Sequence, residues 1–272
     1  MSDTGMPAEH EQIPVRVLGG PTAFFAYGGL RFLTDPTFDA PRDYRAPRGV
    51  LTKTAPSATT PAELGPIDVV LLSHDEHPDN LDASGRALLA DVPLTLTTPG
   101  GAQRLGAGAK GLADWESVVL DRPGGGTVTV TGVPALHGPG TREEVEPFTG
   151  QVVGFVLTGQ DLPTFYVSGD NASLGLVEEI AERFGPVDTA ILFAGAPRFP
   201  QLFDGGLIVL DSAQAAEAAT ILGARRVVPV HCDSWAHFTE SRDDVVAAFT
   251  DAGLLDRLDL GGALHRTPEP QM

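Results

Sequence analysis

Ile67-Asp68-Val69-Val70-Leu71-Leu72-Ser73-His74-Asp75-Glu76-His77-Pro78-Asp79-Asn80-Leu81-Asp82 opens as an apolar run and closes in a loop crowded with imidazoles and carboxylates. Ile67 to Ser73 has the length and composition of a buried strand, so the histidines sit at its C-terminal edge. From Asp79 to Ala90 the spacing of Leu81, Leu88 and Leu89 among polar and small residues is that of a helix. A strand that passes through a tight loop into a helix gathers these side chains at one place. Imidazole nitrogens and carboxylate oxygens bind zinc-like ions at about 2.0 to 2.2 Å, so the loop is a candidate metal site.

The same arrangement recurs along the chain. Five of the seven histidines, His74, His77, His137, His231 and His237, fall at or just after strand-like runs, beside Gly, Pro, Asp or Ser. Upstream, Ile13 to Leu18, Thr22 to Tyr27 and Leu30 to Thr34 read as short strands separated by glycine turns, and Pro36 to Pro66 reads as irregular. Downstream, strands are predicted at Leu94 to Thr97, Ser117 to Leu120, Thr127 to Val133, Gln151 to Leu157, Thr164 to Ser168, Thr189 to Phe193 and Val227 to Val230. Helices are predicted at Leu174 to Phe184, Ser212 to Leu222 and Asp243 to Ala252. This order predicts two sheets packed face to face with helices outside them.

Composition narrows the class. With 272 residues, 42% hydrophobic, and no internal repeat, the chain reads as one domain over 13–266 with polar tails at 1–12 and 267–272. His10 and His265 fall near these ends, where a solvated role is expected. A formal charge of −18 repels nucleic-acid backbones and anionic membranes, so the expected partner is a small-molecule substrate, with self-association left open. The single cysteine, Cys232, excludes an internal disulfide and a cysteine metal cluster, and fits a cytoplasmic setting. Cys232 itself reads as a small buried apolar residue. No Gly-x-Ser-x-Gly elbow is present, and Gly124-Gly125-Gly126 reads as a turn, since no Lys-Ser/Thr pair follows it.

Leu33-Thr34-Asp35-Pro36, the Ser73 to Asp82 segment, Pro134-Ala135-Leu136-His137-Gly138, Ser168-Gly169-Asp170-Asn171 and Pro229-Val230-His231 follow one another in the order found in metallo-β-lactamase-fold hydrolases. Within them the chain resembles the branch of ascorbate-6-phosphate lactonase and the N-acylphosphatidylethanolamine phospholipase D type. The resemblance implies an α/β fold, a four-layer αββα sandwich of two mixed sheets flanked by helices. It further implies that His137, Asp170 and His231 are metal ligands, with Asp170 bridging two ions. The family's His-x-His-x-Asp-His pattern places His77 and Asp79 on ligand positions, leaves either His74 or Asp75 for another, and puts Asn80 where the last histidine stands. Zn²⁺ is expected, as one or two ions, with Mn²⁺ or Fe²⁺ as alternatives because Asn80 weakens one site.

The remaining polar residues have two readings each. His237 either contacts a substrate oxyanion or replaces the ligand missing at Asn80. Asp170 by itself is a fair N-cap for a helix beginning near Ala172, and Asp35 a strand-ending turn or a residue that orients a ligand. Asn80, Asn171 and Trp235 are expected around the metal or substrate rather than on the ion. The expected chemistry is a metal-bound hydroxide attacking an ester-like bond, with Asp79 and His237 assisting. A lactone or carboxylic ester is favoured and a phosphodiester comes second. A binding or sensory protein that kept the fold and lost catalysis is the competing reading.

Overall fold

The computed structural model describes residues 13–46 and 49–261, so the tails expected at 1–12 and 267–272, with His10 and His265, lie outside the described residues. The chain opens with an antiparallel meander, β1 (Val15–Gly19), β2 (Thr22–Tyr27) and β3 (Leu30–Thr34). A hairpin follows, β4 (Arg42–Ala46) and β5 (Gly49–Lys53), then a single helical turn, α1 (Pro61–Leu64). The stretch expected to be irregular therefore carries a two-stranded ribbon. Its partly exposed strands, short of apolar residues and rich in arginine, lack the alternation that marks a strand in sequence.

Strand β6 (Val69–Leu71) leads through the histidine loop to α2 (Ala83–Leu88), followed by β7 (Leu94–Thr97), α3 (Pro99–Leu105) and β8 (Ala109–Gly111). The predicted helix of 79–90 is trimmed at its start because Asp82 is its N-cap, accepting from Gly85 N at 2.8 Å. Neither α3, opening Pro-Gly-Gly, nor α4 (Arg142–Thr149), with Pro147 inside it, was expected. Thr98 and Thr141 cap them and override the poor propensity of their sequences.

The second sheet is built from β9 (Ser117–Asp121), β10 (Thr127–Pro134), β11 (Val153–Gly159), β12 (Leu162–Val167), β13 (Thr189–Phe193) and β14 (Arg226–Val230). Helices α5 (Leu174–Phe184), α6 (Ser212–Ile221) and α7 (Arg242–Asp251) cover it. Helix α5 is capped by Ser173 Oγ, not by Asp170, which leaves that carboxylate available to the site.

The sheets have orders β1-β2-β3-β6-β7-β8 and β14-β13-β12-β11-β10-β9, each mixing parallel and antiparallel pairs. Phe25, Phe32 and Leu71 from the first meet Phe155, Phe165 and Phe193 from the second in a dry core, with Phe25 stacked on Phe165 at 4.3 Å. On the outer face of the first sheet Leu33, Val70 and Leu72 pack under Leu64 and Leu81. On the outer face of the second, Tyr166, Leu192 and Val227 pack under Val177, Ala219 and Phe249 of the helices. This is the four-layer αββα sandwich.

Topology positions the site. Strand β3 is parallel to β6, β12 to β13 and β13 to β14, while β10 and β12 both run antiparallel to β11 and so share a direction. The loops bearing Asp35, the His74 segment, His137, Asp170 and His231 all leave the C-terminal ends of these strands. Loops at strand ends are where a rigid scaffold can present functional side chains.

Candidate metal centre

His74, His77, His137 and Asp170 bring one ligand atom each to within 4.8 Å of one another. His74 Nε2 lies 2.8 Å from His77 Nδ1, and His137 Nε2 lies 3.4 Å from Asp170 Oδ2. Asp170 also faces a second group. Its Oδ1 is 3.5 Å from His231 Nε2, which is 3.4 Å from Asp79 Oδ2, and the same Asp79 oxygen is 2.9 Å from His237 Nε2. One carboxylate thus joins a His74–His77–His137 group to an Asp79–His231–His237 group.

The orienting contacts are built in. Asp35 Oδ1 accepts from Ser73 N at 2.9 Å and Ser73 Oγ at 2.6 Å, and Ser73 Oγ contacts His74 Nδ1 at 3.0 Å, which turns His74 Nε2 to the cluster. The Ile208 carbonyl accepts from His137 Nδ1 at 2.7 Å. Asn171 Oδ1 accepts from Leu136 N and from Ser173 N, each at 3.1 Å, pinning the loops of His137 and Asp170 together. His231 and Asp35 hold positive φ values of 59° and 30°. Such strain persists where the surroundings over-determine it. The His231 peptide is one such place, because a Cβ at Gly195 would stand 1.9 Å from its carbonyl oxygen.

Asp75 is not at the cluster. Arg104 grips its carboxylate, with Nη2 at 2.6 Å and Nε at 3.0 and 3.1 Å, and Arg86 Nη2 is 3.8 Å away. A carboxylate held by a guanidinium fork has its lone pairs engaged, and of His74 and Asp75 it is His74 that joins the cluster. Asn80 donates to Asp170 Oδ1 and Ser73 Oγ, each at 3.3 Å. His237 stands beside Asp79 instead, its Nε2 2.9 Å from Oδ2. Trp235 is buried behind the site, 5.4 Å from the Tyr44 ring and 6.0 Å from His237, with Lys53 Nζ 5.8 Å from its ring.

Electrostatics favour a cation here. Burial, with His77 and His137 close by, holds His74 well below its ordinary pKa, and burial with His137 lowers that of His77, which favours the neutral, ligating form of both. Burial opposes ionisation of Asp79, but His237 and His231 outweigh it and hold the carboxyl well below the usual range. Asp170 is likewise held down against burial by His231, His137 and His74. Burial pushes Asp35 well up, with the nearby Asp170 adding to it. Asp79 Oδ1, Asp170 Oδ2 and both ring nitrogens of His231 are buried without a hydrogen-bond partner. Buried polar atoms left unpaired are costly, and of these Asp170 Oδ2 beside His137 Nε2, and His231 Nε2 beside Asp79 and Asp170, fit the coordination of one or two cations.

Ser73, Lys53 and the Ile208 carbonyl were not singled out in the sequence. Ser73 adjoined the segment and was readable as the hinge between strand and ligand. Nothing local marks Lys53, and a backbone carbonyl has no sequence signature.

Imidazoles and carboxylates gathered at one edge of a two-sheet sandwich form a candidate metal centre, and the relatives of this chain give its class, that of metal-dependent hydrolases. The chain belongs to the β-lactamase superfamily: the Beta-lactamase superfamily domain matches residues 30–232. It is 29% identical over 180 residues to a metal-dependent hydrolase of Methanosphaerula palustris, covering 65% of this chain and 73% of that one. To a metal-dependent hydrolase of Pyrococcus horikoshii it is 26% identical over 227 residues, covering 82% and 86%. The fold is also that of an isothiocyanate hydrolase from Delia radicum gut bacteria, with a TM-score of 0.72 at 20% identity over 90% of this chain and 94% of that one.

Proposed function

We propose that this metal-dependent hydrolase cleaves an ester-like bond in a small molecule, with a lactone or carboxylic ester ahead of a phosphodiester. The observation that carries the reading is the junction at Asp170. It joins two ligand groups at a cavity of about 430 Å³ that is lined by His77, Asp79, His137, Asp170, His231 and His237. His74, His77 and His137 would hold one ion and Asp79, His231 and His237 another, with Asp170 between them. A bound Zn²⁺, Mn²⁺ or Fe²⁺ supplies the Lewis acidity that makes water nucleophilic near neutral pH and polarises the substrate oxygen.

The chain's own residues do the rest. Asp79 Oδ1 has no hydrogen-bond partner, so it can take the proton released on attack. His237 fixes the other oxygen of Asp79 and lines the cavity, which places it beside the substrate as well as the ligand group. The lactone preference is supported by the resemblance at Leu33 to Pro36 and Ser73 to Asp82. The single cysteine supports a reducing compartment. No helix among the described residues is long and apolar enough to cross a membrane.

Metal quantification joined to a panel of lactones, carboxylic esters, phosphodiesters, thioesters, β-lactams and an isothiocyanate tests the reading. Chelator-sensitive turnover of a lactone or ester is the expected result. Protein that carries no metal and turns over nothing on the panel would sink it in favour of a binding role.

A further inference from the structure

His237 follows directly on a segment that the β4–β5 hairpin holds. Ala236 N donates to the Thr52 carbonyl at 2.9 Å and Thr54 N donates to the Ser234 carbonyl at 2.8 Å, so Ser234 to Ala236 pair antiparallel with the end of β5, Lys53 opposite Trp235. On its far side His237 is followed by Thr239, whose N–H donates to the Gly195 carbonyl at 2.9 Å. Side chains reinforce the first of these anchors. Trp235 is buried, its ring 5.4 Å from that of Tyr44 and 5.8 Å from Lys53 Nζ, and an ammonium over an indole face is itself an attraction.

The other contacts of Lys53 belong to the opposite loop. Its Nζ donates to Asp82 Oδ2 at 3.1 Å, an oxygen that also accepts from Asp39 N at 2.6 Å, while Asp82 Oδ1 accepts from Gly85 N at 2.8 Å. Asp79 lies just before, in the turn that Asn80 N and Leu81 N close on the His77 carbonyl at 3.2 and 3.0 Å. One buried ammonium thus stands between the segment carrying Asp79 and the segment carrying His237. Those two side chains meet at 2.9 Å, and groups on separate loops keep such a distance when the frame around them fixes both loops.

We infer that Lys53 is a positioning residue for the metal centre: it ties the hairpin to Asp82, and the hairpin, through its backbone pairing and Trp235, sets His237 against Asp79. This rests on reading Asp79, His231 and His237 as one ligand group. Lys53 acts through His237 and is not itself a ligand.

The test is Co²⁺ binding to the full-length chain, read by visible absorption in competition with a chelator, with the urea midpoint measured alongside. His237→Ala should lose or weaken one Co²⁺ site. Lys53→Met should weaken that same site about 10- to 100-fold and alter its visible bands, leaving the other site as in the wild type. The double variant should bind Co²⁺ as His237→Ala does alone, because nothing is then left for Lys53 to position. Tyr44→Leu, at a half-buried position, should give a smaller loss at the same site, and it stands in for Lys53→Met if that variant does not fold. Ile180→Ala, which hollows the core under α5, should lower the urea midpoint and leave Co²⁺ binding unchanged. Wild-type Co²⁺ affinity in both Lys53→Met and Tyr44→Leu overturns the proposal. So does a double variant weaker than His237→Ala, or an equal loss of Co²⁺ in Ile180→Ala, which would make the effect one of stability. Unchanged Co²⁺ binding in His237→Ala would remove the ligand-group reading itself.

Discussion

His237 Nε2 lies 2.9 Å from Asp79 Oδ2, across 158 residues of sequence. The loop after β14 therefore brings back the imidazole that the loop after β6 lacks, since Asn80 spends its amide on Asp170 and Ser73. His237→Ala should leave one ion and remove the other. Elemental analysis should show about half the wild-type metal, with kcat/KM down about 10- to 100-fold. His137→Ala and His231→Ala should abolish activity and strip metal from their respective groups. Full metal content and activity in all three variants would refute the assignment.

The Asp35–Ser73–His74 series aims a ligand without touching the ion. Ser73→Ala and Asp35→Asn should each weaken metal affinity about 10- to 100-fold in a chelator competition. Activity at saturating metal should recover in large part. If affinity is unchanged in both, Ser73 Oγ does not orient His74.

Lys53 is 2% exposed, donates to Asp82 Oδ2 at 3.1 Å and to the Thr37 carbonyl at 2.9 Å, and fastens the hairpin to the start of α2. Removing one member of a buried pair leaves the other charge uncompensated, at a cost of about 3 to 5 kcal/mol. Lys53→Met should therefore lower the urea midpoint sharply, and Lys53→Met with Asp82→Leu should regain part of the loss. A single variant as stable as wild type would show that the pair contributes little.

Asp39 links the same elements, accepting from Ser84 N at 2.9 Å and from Tyr44 Oη at 2.8 Å. Burial opposes its ionisation, but the bonds from Ser84 and Tyr44 outweigh that and hold the carboxyl below the usual range. A carboxyl lowered on folding stabilises the native state fully above its unfolded pKa of about 3.9, and that contribution is lost as pH falls through the folded value. Asp39→Asn should reduce the fall in urea stability below about pH 4. An identical acid limb in the variant would contradict the shift.

Cys232 is buried, and burial pushes its thiol up to about 12. Since the thiolate is the reactive form, the native protein should resist a thiol-disulfide reagent at pH 8 and react one-to-one once unfolded in urea. Prompt labelling of the native protein would show that the β14 loop opens.

Much of this protein was legible before any tertiary contact was known. The run Ile67 to Ser73 had to contain a buried strand because Val69 to Leu72 is apolar without interruption. The glycine-punctuated runs at Val15 to Thr34 had to be a meander, and the histidines had to stand at strand ends. Those properties are local: hydrophobic periodicity and turn chemistry act over a few residues, and the strand order they generate makes a four-layer sandwich with its ligand loops at one edge. The sequence could not say which way a side chain turns once its strand has ended. That His74 and not Asp75 joins the cluster follows from Arg104, which claims the carboxylate from 29 residues away. His237 is brought to Asp79 by packing across 158 residues, and the ribbon of β4 and β5 is fastened to the start of α2 by Lys53 buried against Asp82. In each case the deciding partner is far off in sequence, and only the packing of the two sheets brings it within hydrogen-bonding reach.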